Sequence, residues 1–191
     1  MSNSQAGQVD WVIDFFDSKQ NGFFLDLGAY DGISYNNTIE LEQKLNWTGI
    51  CVEASKTVYE QLTQNRKCIC LNNAINDKDG PVNFNAAGMA GSIMSNGLEI
   101  VEGITLETMF KKYKCPNIID YISLDIEGAE YSALTQFPFK EYCAILWTIE
   151  HNLYYGSSEL KDNIFNIMML NNYIRVKEDV AASPKYPFED W

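Results

Sequence analysis

Basic residues, histidine, cysteine pairs and long apolar runs are scarce in this 191-residue chain, and each shortage narrows its function. Lys and Arg number 14 against 26 Asp and Glu, leaving a formal net charge of −12. A surface of that sign repels a phosphate backbone, so nucleic acid is not expected as a partner. The five cysteines form no C-x-x-C pair, and Cys68-x-Cys70 places two thiols on one strand face without the spacing of a zinc site. Reduced, buried cysteines in a cytoplasmic protein are the expectation. No apolar run reaches the ~20 residues of a membrane span, and the longest, Cys143 to Ile149, has the length of a buried strand. The opening Met1-Ser2-Asn3-Ser4-Gln5 lacks the basic-then-apolar pattern of a signal peptide. With one histidine in the chain, His151 is its only imidazole.

What is present reads as one α/β domain over residues 1–191, with 46% hydrophobic and 21% charged residues. Strand-like and helix-like stretches alternate, the mark of a parallel sheet with crossovers. Trp11, Val12, Phe15 and Phe16 recur at helical spacing over Asp10–Ser18. The apolar run Phe23–Leu27 opens a first strand over Phe23–Ala29 that passes into a glycine turn, Gly28-Ala-Tyr-Asp-Gly32. Asn37-Thr-Ile-Glu40 fits a capping box opening the next helix. Ile50–Ala54 is a second strand, Lys67–Ile75 a third, and Val82–Phe84 a short one. Asn85–Gly97 has no period and reads as a loop of functional length. Ser55, Thr105 and Ser158 cap helices, and Gly128–Phe137 is a helix ended by Pro138. Tyr121–Ile126, Cys143–Ile149 and Tyr173–Val176 are further strands, and Ala181–Trp191 has room for a last one.

In a doubly wound sheet the ligand sits beyond the carboxyl ends of the strands. Here those ends carry Asp26 to Asp31, Glu53, Asn72 to Ala74, Asp125 to Gly128, and Glu150-His151-Asn152. Glu53 lies where an acid ending the second strand accepts a ribose, although it also suits the start of the following helix. Tyr30 stands where a dinucleotide fingerprint needs its second glycine, so no pyrophosphate is expected. An acid two residues before the first glycine instead suits a ligand with a charged amino-acid end. S-adenosylmethionine fits, with its ribose on Glu53, adenine near Ala54 and Asn73, and methionine along Gly28–Asp31. His151 is read as a general base for a hydroxyl, against the alternative of a satisfied surface or core histidine. Asp125 and Glu150 either orient it or hold Mg²⁺ within the cluster Asp125, Glu127, Glu130 and Glu150, and the metal-free arrangement is the expectation. Gly91-Ser92 in the long loop is positioned to touch cofactor or acceptor.

The chain resembles the FkbM-type S-adenosylmethionine-dependent O-methyltransferases along nearly its whole length. The resemblance rests on Phe24-Leu-Asp-Leu-Gly-Ala-Tyr-Asp-Gly32, Asn37-Thr38, Gly49-Ile-Cys-Val-Glu-Ala54 and Asn65-Arg66. It continues in Tyr121-Ile-Ser-Leu-Asp-Ile-Glu-Gly-Ala-Glu130 and Thr148-Ile-Glu-His-Asn152. It implies a class I Rossmann-like, mostly parallel sheet of about seven strands in the order 3-2-1-4-5, with helices on both faces. It also implies a cofactor site drawn from Asp26, Gly28, Ala29, Tyr30, Asp31, Asn37, Glu53, Ala54, Asn73, Ala74, Ser92 and Asp125. His151, Asp125 and Glu150 are then the catalytic set. The acceptor implied is a hydroxyl of a sugar, glycan or related small molecule. Ser4-Gln5-x-Gly7-Gln8 resembles the family's opening, so residues 1–20 are expected near the cofactor. Val9 before Asp10 and Lys56 in place of a common proline depart from the family pattern. Phe188-Glu-Asp-Trp191 resembles a stretch that usually continues, which suggests a domain cut from a longer protein. Two other readings stay open: a nicotinamide-dependent oxidoreductase, and a cofactor-binding module without catalysis.

Overall fold

The computed structural model describes residues 7–85, 91–94, 97, 99–151 and 158–177. The order of elements is α1 (Gln8–Phe15), β1 (Phe23–Leu27), α2 (Ile39–Leu45), β2 (Thr48–Val52), α3 (Lys56–Asn65) and β3 (Ile69–Leu71). Then come β4 (Ala74–Ile75), β5 (Gly80–Asn85), β6 (Ser92–Ile93), β7 (Glu99–Ile104) and α4 (Leu106–Tyr113). The series ends with β8 (Ile118–Leu124), α5 (Glu130–Gln136), β9 (Cys143–Ile149) and α6 (Ser158–Leu170). Five strands form one sheet in the order β3-β2-β1-β8-β9, and all its pairings are parallel.

Alternation along these strands divides the core in two. Leu25, Ile50, Val52, Ile122 and Trp147 face the side covered by Met109, Phe110, Leu134 and Ile164 of α4, α5 and α6. Phe24, Cys51, Tyr121 and Leu146 face the side covered by Val12, Leu41 and Leu62 of α1, α2 and α3. A strand buried on both faces is apolar at every position, which is why Phe23–Leu27 and Cys143–Ile149 stand out as runs. Asp26 breaks the first run and pays for its burial with a hydrogen-bond network described below. Among the described residues no helix is long and apolar enough to cross a membrane.

The sheet order matches the expected 3-2-1-4-5, but a single sheet of about seven strands is not what the described residues form. A second, mixed sheet of four strands runs β4-β7-β5-β6. The expected third strand divides between the two sheets. Asn72 turns the chain there by donating to the backbone oxygens of Glu53 and Ala54, both at 2.9 Å. β7 pairs parallel with β4 and antiparallel with β5, and no strand was expected at Glu99–Ile104.

Tyr173–Val176, expected as a strand, is not one. Its first amide returns to Met168 O at 3.0 Å, and Ala144 N of β9 donates to the Tyr173 hydroxyl at 3.1 Å. A side chain therefore takes the edge amide that a strand would have paired. At α2 the N-cap position is Thr38, not the expected Asn37, and it makes no side-chain cap; Asn36 holds the helix start instead. Asn36 Oδ1 accepts from Thr38 N at 2.9 Å and Ile39 N at 2.8 Å. Glu40 pairs with Lys44 at 2.5 Å. Ser55 precedes α3 without a side-chain cap, whereas Thr105 does accept from Thr108 N at 3.1 Å. Asn152, much of the Asn85–Gly97 loop, residues 1–6 and the tail from 178 lie outside the described residues.

Candidate functional site

The carboxyl ends of the parallel strands meet the second sheet around a cavity of about 220 Å³. Each strand of the floor carries its ladder one bond further, which pins the residues that follow. Gly28 N and Ala29 N both donate to Val52 O at 3.0 Å, and Glu53 N donates to Leu71 O at 3.0 Å. Asp125 N donates to Leu27 O at 3.0 Å and Glu150 N to Leu124 O at 2.9 Å. The second sheet supplies Ala74, Ile75, Phe84, Ser92 and Ile93 to the opposite wall.

Of the residues expected here, Asp26, Gly28, Ala29, Tyr30, Asn37, Glu53, Ala54, Asn73, Ala74, Ser92, Asp125 and Glu150 line the cavity. Asp31 does not. Its carboxylate closes its own turn, accepting from Ile33 N at 2.9 Å and from Ser34 N and Oγ at 2.7 Å. His151 is 1% exposed and is not on the cavity wall, which is formed at that strand end by Glu150. None of residues 7–20 lines the cavity. Trp11 and Phe15 of α1 instead line a separate apolar groove of about 490 Å³ along β9 and α6.

The glycine turn is tight because two strands meet there. A Cβ on Gly28, at φ +90°, would stand 1.7 Å from Asp125 O. Tyr30 is left-handed at φ 49°, and its amide donates to Glu53 Oε2 at 3.1 Å. Glu53 Oε1 accepts from Ser55 N at 2.7 Å. Burial raises the Glu53 pKa, and these backbone donors pull it back. The carboxylate is thus held by backbone donors at both of its oxygens while Glu53 lines the cavity.

Asp26 is buried, and its Oδ2 accepts from Asn36 Nδ2 at 2.8 Å and Thr38 Oγ1 at 2.6 Å. Burial pushes its pKa up, against Arg66, Thr38 and Asn36. Arg66 crosses from the end of α3 to hold this corner. It donates to Glu42 Oε2 at 3.0 Å, Asn36 Oδ1 at 3.1 Å and Thr38 Oγ1 at 2.9 Å. Sequence reasoning left Arg66, Asn36 and Ser123 out of the site, although Arg66 and Ser123 stand in stretches that carry the family resemblance. The available signal was an arginine ending a helix otherwise poor in charge, beside a run of short polar residues.

Asn37 donates through Nδ2 to Ser123 Oγ at 3.2 Å, while its buried Oδ1 has no donor among the described residues. An amide oxygen placed so calls for a ligand N–H or O–H. Carboxylate oxygens of Asp125, Glu127 and Glu150 lie within 4.8 Å of one another. Burial first, then Asp125, pushes the Glu150 pKa up to about 12, so Glu150 holds a proton at neutral pH. Glu130, fully buried, braces the loop between β8 and α5 by accepting from Ile126 N at 2.8 Å and Gly128 N at 3.0 Å.

Five carboxyl groups therefore line the cavity (Asp26, Glu53, Asp125, Glu127 and Glu150), and no Lys, Arg or His does. Glu150 is protonated and Asp26 is paired with Arg66, but the remaining carboxylates, with no basic residue opposite them, still favour a cationic ligand and can hold a hydroxyl-bearing molecule by acceptors. The family model of the methyltransferase FkbM domain matches residues 26–174, which takes in the whole cavity floor. The chain belongs to the FkbM methyltransferase family. The crystal structure of methyltransferase FkbM from Methylobacillus flagellatus KT shares this fold. The two superpose with a TM-score of 0.54 at 16% identity, over 80% of this chain and 37% of that one. This FkbM domain thus spans well under half the length of that relative. No curated protein matches it.

Proposed function

We propose that this domain is an S-adenosylmethionine-dependent O-methyltransferase acting on a hydroxyl of a sugar, glycan or related small molecule. The observation that carries the cofactor reading is the five-carboxyl wall without a basic residue, in a chain of the FkbM family. When bound, the cofactor supplies an electrophilic methyl on a cationic sulfur. Glu53 takes the ribose hydroxyls, and Ala54, Asn73 and Ala74 border the base. Gly28 to Tyr30 follow the amino-acid portion, with Asn37 Oδ1 and Asp125 as acceptors for its ammonium. Ser92 contacts cofactor or acceptor from the second sheet. The same wall disfavours an anionic acceptor.

A hydroxyl is a weak nucleophile until its proton leaves, and His151 is the proposed base. Glu150 and Asp125 orient the acceptor and the imidazole. Because His151 is buried and does not line the cavity, a second reading is favoured for this step, in which Glu150 gives up its proton and the Asp125–Glu127–Glu150 cluster holds a divalent cation that lowers the hydroxyl's pKa. Methyl-transfer assays on a panel of neutral sugars, with His151→Ala and with EDTA, separate the two. Under the first reading His151→Ala lowers turnover by about 10²–10⁴-fold and EDTA does nothing. Loss of activity in EDTA, restored by Mg²⁺, establishes the second.

A further inference from the structure

Away from the cavity the fold brings two thiols into contact. Cys51 lies within β2 and is fully buried, whereas Cys68 lies ahead of β3 and is partly exposed. Their Sγ atoms are 3.4 Å apart. Strand register does not impose this contact, because the β3 partner of Cys51 is Cys70. Cys68 reaches in from the short turn between α3 and β3.

The surroundings make the two thiols unequal. Arg66, two residues before Cys68, is buried with its guanidinium on Glu42, Asn36 and Thr38. The Cys51 thiol in contact with it, the neighbouring Cys70, whose Sγ donates to the Cys68 carbonyl oxygen at 3.6 Å, and then the Arg66 charge hold Cys68 below the ordinary thiol range. Burial pushes Cys51 the other way. A partly exposed thiol with its pKa lowered, in contact with a second, buried thiol 3.4 Å away, is the arrangement that reacts with peroxides.

We propose that Cys68 and Cys51 form a peroxide-oxidisable dithiol, with Cys68 as the attacking sulfur and Cys51 as the resolving one. The Cys68 thiolate attacks one peroxide oxygen, so an S–O bond forms and the O–O bond breaks. The departing oxygen takes a proton and leaves as water, and Cys68 is a sulfenic acid. Cys51 then gives up its proton, and its sulfur displaces the Cys68 oxygen as a second water. The two thiols have lost two electrons to the peroxide and share an S–S bond. The sulfurs must close from 3.4 Å to about 2.05 Å, a movement available to Lys67 and Cys68, which lie in neither helix nor strand. The site is independent of the methyl-transfer reading. It adjoins the Arg66–Asp26 corner, since Asp26 and Cys51 are partners across β1 and β2.

The test is to treat the reduced full chain with hydrogen peroxide at neutral pH, block free thiols and map non-reduced peptides by mass spectrometry. The expected product is one Cys51–Cys68 linkage, with a mass loss of two hydrogens that dithiothreitol reverses. Cys68 is consumed about tenfold or more faster than Cys115 or Cys143. Cys68→Ser abolishes the linkage and Cys70→Ser keeps it. A first oxidation at Cys70 or Cys143, a Cys68–Cys70 linkage, overoxidation of Cys68 without a cross-link, or no reaction would overturn the assignment.

Discussion

Replacing Glu150 by Gln removes a titratable group and keeps the shape of a protonated carboxyl. Glu150 is 5% exposed, and its pKa is raised from 4.5 to about 12 by burial and by Asp125, Glu127 and Glu130. The folded state therefore keeps a proton that the unfolded chain gives up above pH 4.5. The unfolded state binds fewer protons through this window, so stability falls as pH rises. Each pH unit above that point costs the fold up to about 1.4 kcal/mol, or about 3 kcal/mol by pH 7. Glu150→Gln should match the parent near pH 4 and exceed it by about 1–3 kcal/mol at pH 7, with a larger gap at pH 8.5. For a chain of this size that is a rise of about 3 °C in Tm for each kcal/mol. Urea unfolding at the three pH values measures it. A gap that stays constant with pH, or a variant that loses stability as pH rises, refutes the reasoning that Glu150 is buried as the neutral acid.

Three further substitutions probe the site's framework. Glu53→Ala should weaken S-adenosylmethionine binding by about ten- to a hundredfold, as loss of hydrogen bonds to a charged group implies, with the far-UV spectrum unchanged; undiminished affinity in calorimetry removes Glu53 from the ribose role. Arg66→Met should cost about 3–5 kcal/mol in urea unfolding, because Asp26 and Glu42 stay buried without their cation, and a loss under 1 kcal/mol contradicts the network. Gly28→Ala should abolish binding and destabilise the fold, since its Cβ meets Asp125 O at 1.7 Å and the φ of +90° is strained for any side chain. Soluble Gly28→Ala with normal binding would mean that the turn is looser than described.

The parts of the fold legible in the sequence are those where burial alone sets the pattern. Cys143–Ile149 is buried from two sides at most positions, and its observed bounds are those the apolar run implies. The first strand, expected over Phe23–Ala29, is read off as directly, but it closes at Leu27 where the glycine turn begins. Glu99–Ile104 escaped because its sheet is half open. Ile100 is 76% exposed while Gly103 and Ile104 are buried, so neither alternation nor an apolar run marks it. Tyr173–Val176 has the composition of a strand, but Ile174 is 76% exposed and Tyr173 docks by its hydroxyl. At Asn36-Asn37-Thr38 three capping residues stand in a row, and only the geometry of Asp26 and Arg66 decides among them.

At the cavity the strand-end rule brought together nearly every residue expected, because parallel strands deliver their carboxyl ends to one edge regardless of loop detail. It does not say which side of the edge a residue faces. Asp31 turned into its own loop, and Glu150, not the buried His151, lines the cavity at the end of β9. Arg66 was missed for a related reason. Its position depends on how α3 returns to the sheet, and a single arginine at a helix end has no pattern in the sequence.

The central claim is that this cavity binds a cationic sulfonium nucleoside, and calorimetric titration of the full chain tests it most directly. S-adenosylmethionine, its demethylated product and NAD⁺ are titrated in turn, each with EDTA and with added Mg²⁺. The account predicts binding of the two sulfur ligands, the charged one more tightly because the wall is acidic and carries no Lys or Arg, and none of NAD⁺. Binding of NAD⁺ without either sulfur ligand would contradict it.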